Sequence, residues 1–116
     1  MNVNLAISDG PDQPLIIKNN ARLVATFTQI RHGDVGATID VTARTSNGDV
    51  GWSDDWHKSF KVKRSAPKVY QVTFHFRPLR VGFFTLSVDV YYRNHYLTTA
   101  SVSCTVIQRV EDGVGP

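Results

Sequence analysis

The amino-acid sequence predicts an all-β domain, an antiparallel β-sandwich of seven or eight strands. Apolar and polar residues alternate through most of the chain, which is the period of a strand with one buried face. The alternating segments are rich in β-branched and aromatic residues, which strands favour. Turn residues separate these segments at regular, short intervals, as is typical of sandwiches and barrels.

The first three alternating segments are LVATFTQI at 23–30, TIDVTART at 38–45 and SFKVKR at 59–64. Their inward positions carry Leu23, Ala25 and Phe27, then Ile39, Val41 and Ala43, then Phe60 and Val62. The polar residues between them fall on the opposite face, since successive side chains of a strand point to opposite sides. Each segment therefore predicts a strand that packs one face on the core.

The last three segments are YQVTFHFR at 70–77, FTLSVDVYY at 84–92 and SVSCTVI at 101–107. Their inward positions carry Tyr70, Val72, Phe74 and Phe76, then Phe84, Leu86, Val88 and Val90, then Val102, Cys104 and Val106. The turn at Arg93-Asn94 is predicted to join the last two strands as a hairpin, because Asn tolerates a positive φ.

One local pattern, F-x-P-x-x-x-G-x-F-x-L-x-V, runs from Phe76 through Pro78 and Gly82 to Val88. Proline bars the continuation of a strand, glycine makes a corner, and an aromatic residue opens the next buried strand. The pattern resembles the E–F corner of immunoglobulin-like sandwiches, especially the filamin-type and macroglobulin-like ones. The resemblance covers residues 74–90 as a motif and roughly 20–108 as a strand plan.

The resemblance implies an immunoglobulin-like fold whose members mostly bind partners or space other domains, and it implies no chemistry. The chain departs from the pattern at Phe84, where the tyrosine of a tyrosine corner would stand, so that hydroxyl bond cannot form. The Cys…Trp…Cys core of antibody domains is also missing.

A length of 116 residues predicts a single domain over residues 1–116. We expect its core at about 3–108 and a frayed tail at 109–116. An origin in a larger multidomain protein stays open. The single cysteine, Cys104, forbids an internal disulfide and is expected to be a buried thiol. No signal peptide and no apolar run long enough to span a membrane are present, so we expect a cytoplasmic location. The net charge of +3 predicts no particular partner.

We expect no enzyme, no cofactor and no metal site. No serine lies in a G-x-S-x-G elbow, and the histidines are widely spaced without metal-ligand spacing. A basic strip contains Lys58, Lys61, Lys63, Arg64 and Lys68. Lysines on an exposed strand protect against edge-to-edge aggregation, and this interpretation is favoured over nucleic-acid binding.

Two groups of residues are predicted to bind a partner. Phe83, Tyr91 and Tyr96 fall on the outward face of the last hairpin, and exposed aromatic residues are common anchors of protein interfaces. The stretch GDVGWSDDWHKSF at 48–60 supplies Trp52, Asp54 and His57, the residue types of a sugar site. Counting back from Phe60 predicts that Trp56 caps the core and that Trp52 is the freer ring.

The sequence leaves two functions open. The first is a non-catalytic protein-interaction or accessory module that uses a sheet edge or the last hairpin to bind a protein or a neighbouring domain of the same polypeptide. The alternative is a carbohydrate-binding module that uses the Trp52–His57 loop.

Overall fold

The computed structural model describes residues 1–7, 14–46, 48–64 and 69–108. Within these residues, nine strands form two sheets. One sheet contains β1 (Asn2–Ile7), β3 (Ala21–Thr28), β7 (Tyr70–Pro78) and β5 (Val50–Trp52), in that spatial order. The other contains β2 (Leu15–Ile16), β9 (His95–Ile107), β8 (Gly82–Tyr92), β4 (Thr38–Thr45) and β6 (His57–Lys61).

The predicted β-sandwich is confirmed, and the short strands β2 and β5 bring the described strands to nine. Most neighbouring strands pair antiparallel, whereas β2 runs parallel to the end of β9. A three-residue 3-10 turn, His32–Asp34, precedes β4. No helix among the described residues is long and apolar enough to cross a membrane. The predicted tail at 109–116 and Lys68 lie outside the described residues.

The core lies between the two sheets and is built from the predicted inward positions. Phe27, Phe74 and Phe76 fill the inner face of the four-stranded sheet, and all three are fully buried. On the five-stranded sheet, the inward residues of β4 and the inward residues Leu86, Val88 and Val90 of β8 are likewise at or near zero exposure, while Phe84 is partly buried. Cys104 is buried, and its burial raises the pKa of the thiol, which confirms that it packs as a core residue.

Two turns have the backbone geometry that the sequence predicts. Arg93 and Asn94 have φ angles of 50° and 69°, and they join β8 to β9 in a tight hairpin. Gly82 has a φ of 145° at the corner before β8. A Cβ there would lie 3.4 Å from the Phe84 ring, so glycine suits this corner in both conformation and space.

The stretch 48–60 has a more elaborate path than a single connection. Its first part, β5, pairs with the end of β7 in the four-stranded sheet. Its last part belongs to β6, which pairs with β4 in the five-stranded sheet. The stretch therefore forms an edge of both sheets and crosses between them at residues 53–56.

Candidate interaction surface

The outer face of the five-stranded sheet carries a compact group of side chains near the β8–β9 hairpin. Strand register arranges them in neighbouring cross-strand rows. We call this group the hairpin face: Asp40, Thr42, Arg44, His57, Asp89, Tyr91, Tyr96 and Thr99. The members on β4 and β8 stand on one side of the sheet because they alternate with buried neighbours. Pairing with Tyr91, Asp89 and Thr42 places Tyr96, Thr99 and His57 on the same side.

Two tyrosines form the aromatic part of the hairpin face. Tyr91 and Tyr96 lie opposite each other across β8 and β9, and their rings meet edge to face with centroids 5.8 Å apart. Their exposed fractions are 37% and 60%. Aromatic rings held in this way present a large contact area and lose little conformational entropy on binding.

A hydrogen-bond relay fixes the Tyr96 ring. Thr99 donates its hydroxyl proton to the Asp89 carboxylate at 2.7 Å. The same Thr99 oxygen lies 2.7 Å from the Tyr96 hydroxyl. Since a threonine hydroxyl has a single proton, Tyr96 is the donor to Thr99. The phenol is therefore held in one orientation.

Arg44 completes the relay from the opposite side. Its Nε donates to Asp89 Oδ2 at 2.8 Å, and its second nitrogen reaches Oδ1 at 3.4 Å. The hydrogen bond from Arg44 is the main reason that the pKa of Asp89 lies below its usual range, with a further contribution from Thr99 and partial opposition from burial. The Arg44 side chain is 55% exposed, so it remains available to a partner.

His57 extends the hairpin face towards β6. Its Nδ1 lies 3.0 Å from the Thr42 hydroxyl, and its Nε2 lies 3.5 Å from Asp40 Oδ1. The neighbouring Trp56 ring is 55% exposed and meets the imidazole nearly edge-on at 6.4 Å. The sheet therefore brings His57 onto the same surface as the two tyrosines, although it is far from them in sequence.

Phe83 is exposed but does not join this group. It lies eight residues before Tyr91 on β8, about 26 Å away at the usual rise of a strand. Thr85, Ser87 and Asp89 occupy the outward positions between them. The predicted aromatic stripe on this face is therefore interrupted, and Phe83 lies near the opposite end of the sheet.

The two tryptophans exchange the roles that the sequence predicted. Trp52 lies on β5 and packs against the core, with its ring centroid 6.2 Å from that of Phe74 and 5.9 Å from that of Phe76. Trp56 is the exposed ring. The prediction was wrong because β6 begins at His57, so the alternation of that strand does not extend back to Trp56.

Asp54 is engaged in joining the two sheets. Its Oδ2 accepts a hydrogen bond from Lys58 Nζ at 2.8 Å, and its Oδ1 accepts one from the His75 backbone N–H at 3.1 Å. His75 Nδ1 also lies 2.8 Å from Oδ2. Lys58 Nζ donates a further hydrogen bond to the Thr73 carbonyl at 2.7 Å. We call these four residues the sheet clasp.

The sheet clasp explains why a lysine occupies an inward position of β6. Lys58 projects between the sheets and lies over the Phe74 ring, with Nζ 5.5 Å from the centroid. Burial raises the pKa of Asp54, but the hydrogen bonds from Lys58 and His75 outweigh it and lower the pKa to about 2. The inward lysine thus belongs to a paired, charge-assisted cluster, while Lys61 remains exposed on the edge of the sheet.

Sequence reasoning missed Arg44, Asp89 and Thr99. The alternation does place Arg44 and Asp89 on outward faces, and their opposite charges could have suggested a cross-strand pair. Whether these three residues lie close together depends on the pairing register of β4, β8 and β9, which a single sequence leaves open. Among the described residues, no group of three or more His, Cys, Asp or Glu side chains is arranged to hold a metal ion.

The strand order of the two sheets defines an immunoglobulin-like β-sandwich, and solved structures agree. WR4, an MSP family member from C. elegans, superposes with a TM-score of 0.55 at 8% identity over 89% of this chain and 97% of its own. The CARDB domain of a Pyrococcus furiosus protein, solved in complex with di-metal ions, gives a TM-score of 0.56 at 18% identity over 91% and 88%.

These similarities establish the fold alone, because both identities are low. No family model matches the chain, and no curated protein matches it. The immunoglobulin-like fold is therefore confirmed, while the filamin-type or macroglobulin-like resemblance of the corner motif stays a prediction.

Proposed function

We propose that this domain is a non-catalytic protein-interaction module and that it binds its partner through the hairpin face. The partner is another protein or a neighbouring domain of the same polypeptide. The observation that carries this proposal is the exposed pair Tyr91 and Tyr96, held rigid by the Thr99–Asp89–Arg44 relay. Tyrosine and arginine are the residue types that dominate binding energy in protein interfaces.

The chemistry of the hairpin face suits a mixed partner surface. The two rings offer apolar contact area, and the exposed guanidinium of Arg44 can donate hydrogen bonds to a second carboxylate or a carbonyl alongside Asp89. His57 and Asp40 add a donor and an acceptor at the side nearest β6. This composition is that of an aromatic centre with a polar surround, which is common in specific interfaces.

Substitution of the two tyrosines tests the proposal. The double variant Tyr91→Ala/Tyr96→Ala should retain the fold and lose at least about tenfold in affinity for the partner that the unmodified domain binds. Phe83→Ala is the control, because it removes an aromatic ring that is even more exposed, at 70%, from the same sheet face. Undiminished binding by the double variant, or a loss caused by Phe83→Ala instead, would contradict the proposal.

A carbohydrate-binding role has support from one observation, the exposed ring of Trp56 beside His57. A sugar can stack on a free indole ring, whereas Trp52 and Asp54 already have protein partners. Titration with soluble glycans should then change the fluorescence of the unmodified domain and leave that of Trp56→Phe unchanged. An absence of response across a broad glycan panel would reject this role.

A further inference from the structure

We propose that the free edge of β9 pairs antiparallel with β9 of a second copy of this chain. This surface is the side of the sandwich, between β1 and β9. It meets the hairpin face at Thr99, whose side chain belongs to that face and whose backbone belongs to this edge. The proposal does not depend on the proposed partner binding, because it concerns backbone groups at the edge of the sheet.

Within the part of the chain that the structure describes, the backbone of β9 presents unpaired groups along most of its length. Among the described residues, only Leu15 and Ile16 pair with its free side, opposite Val106 and Ile107. The Ile17 N–H donates to the Ile107 carbonyl, so the backbone groups of Ile107 point away from β8. Because a strand repeats every two residues, the backbone groups of four further residues of β9 also point away from β8. They are Thr99, Ser101, Ser103 and Thr105, where the pairing of β8 with β9 is regular.

The side chains beside this edge are incompletely covered. Ala100 and Val102 point inward but are only half-buried, whereas Val88 and Val90 on the adjacent strand are fully buried. Ala100 lines a groove of about 680 Å³ together with Thr98 on β9 and with Val3 and other residues of β1. An added strand would complete the cover of this end of the core.

The two edges of the five-stranded sheet differ in charge. The edge strand β6 has the exposed Lys61, which opposes pairing with another chain. Neither β9 nor β1 contains an Asp, Glu, Lys or Arg residue. Two copies of the β9 edge can therefore approach without repulsion between charged side chains. The groove beside this edge suits an uncharged strand.

One register of self-pairing centres on Ala100, within the part of β9 whose pairing with β8 is regular. If Ala100 lies opposite the partner's Ala100, Thr99 lies opposite the partner's Ser101, and both have backbone groups that face the new pair. In this register Leu15 and Ile16 of the second copy fall opposite the turn residues Asn94 and Arg93, so β2 does not overlap the strand residues of β9. Hydroxyl side chains would meet across the edge, as Ser87 and Ser101 already do within the sheet at 2.8 Å.

The size of the surface fits a dimer of modest affinity. The edge from His95 to Thr105 is about 34 Å long, and a two-sheet sandwich is about 20 Å deep with its side chains, which gives roughly 700 Å² on each copy. A standard interface buries about 800 Å² on each side. We therefore expect a dimer whose population rises with concentration.

Sedimentation equilibrium of the full chain tests the proposal. The weight-average mass should rise from 13.0 kDa towards twice that value as the concentration increases. Ser101→Pro removes an N–H that faces the free edge and leaves the pairing with β8, so it should shift dimerisation at least about tenfold towards the monomer. Ser101→Ala, which keeps the N–H, should dimerise like the unmodified chain.

A cross-linking experiment fixes the register and does not depend on how well the proline variant folds. Ala100→Cys should give a disulfide-linked dimer on mild oxidation, since facing residues at a non-hydrogen-bonded site are close enough to bridge. Thr98→Cys, displaced by two residues, should not. A chain that stays monomeric at every concentration would overturn the proposal. So would a folded Ser101→Pro variant with undiminished dimerisation, or equal cross-linking at both positions.

Discussion

The sheet clasp and the hairpin face each centre on an aspartate that accepts hydrogen bonds from a cationic side chain. The partners of Asp54 lie on strands of both sheets, Lys58 on β6 and His75 on β7. The partners of Asp89 are Arg44 and Thr99, and all three lie on one face of one sheet. Similar chemistry therefore has different consequences, because the first cluster joins the layers of the fold and the second organises a surface.

The largest expected effect is the loss of the sheet clasp. Asp54→Ala should lower the free energy of unfolding by about 2–3 kcal/mol, because the partly buried ammonium of Lys58 loses its carboxylate. Urea unfolding followed by tryptophan fluorescence measures this change. The matched control is Asp55→Ala, which removes the neighbouring exposed carboxylate and should change stability by less than about 0.5 kcal/mol. Equal effects of the two substitutions would remove the structural role assigned to Asp54.

The pH dependence of stability gives a second test of the role of Asp54 in the sheet clasp. The folded pKa of Asp54 is about 2, below its value in the unfolded chain, so the unfolded state binds more protons as the pH falls from about 4 to 2. Stability should therefore decrease through this window, with about 1–2 kcal/mol attributable to Asp54 after allowance for solvent screening.

Asp54→Asn should flatten this acid-induced decrease when unfolding is measured at several pH values. Some slope should remain, because the pKa values of Asp34 and Asp89 are also lowered. Hydrogen bonds from the Arg31 backbone N–H and from Arg44, respectively, are the main causes. An Asp54→Asn profile as steep as that of the unmodified chain would contradict the assignment.

Substitution of the two tryptophans should have different effects on stability, and the effect of Trp52→Phe should be intermediate in size. Trp52→Phe should lower the free energy of unfolding by about 1 kcal/mol, because it reduces edge contacts with Phe74 and Phe76. Trp56→Phe should have almost no effect on stability. Acrylamide quenching provides a second readout, since the fluorescence that remains in Trp56→Phe should be the better protected. The reverse order in quenching would show that the exposed ring is Trp52.

The smallest effect on stability is expected at the hairpin face. Asp89→Ala should cost less than about 1 kcal/mol, because its partner Arg44 is largely exposed and such pairs contribute little. It should nevertheless free the Tyr96 ring by breaking the relay through Thr99. Nuclear magnetic resonance relaxation of the Tyr96 ring detects this change, and Ser103→Ala is a control on the same face. If the Tyr96 ring stays as rigid in Asp89→Ala as in the unmodified chain, the proposed dependence of Tyr96 on Asp89 is contradicted.

The sequence predicts most of the fold because long alternating segments define their own buried face. The inward residues of β3, β4, β7 and β8 follow directly from the period of two. The Arg93-Asn94 hairpin and the Gly82 corner follow from residues that tolerate positive φ. These features depend on local backbone chemistry, so a single chain is sufficient to predict them.

The stretch 48–60 is harder to predict because its conformation depends on partners distant in sequence. β5 has only three residues, too few to show a period, and its place in the four-stranded sheet is set by β7. The phase of Phe60 correctly places Lys58 inward but fails at Trp56, where the strand has not begun. The hairpin face is only partly predictable. Tyr91 and Tyr96 are close in sequence and flank one turn, whereas His57 and Arg44 join them only through the pairing of distant strands.

Photo-cross-linking in cells that naturally produce the protein tests the central claim most directly. A photoreactive phenylalanine analogue is placed at Tyr96 in one variant and at Phe83 in another, two exposed positions of the same sheet face. We expect a covalent adduct with a partner protein from position 96, distinguishable by mass from a self-adduct, and none from position 83. An adduct from position 83 alone, or equal adducts from both positions, would contradict it.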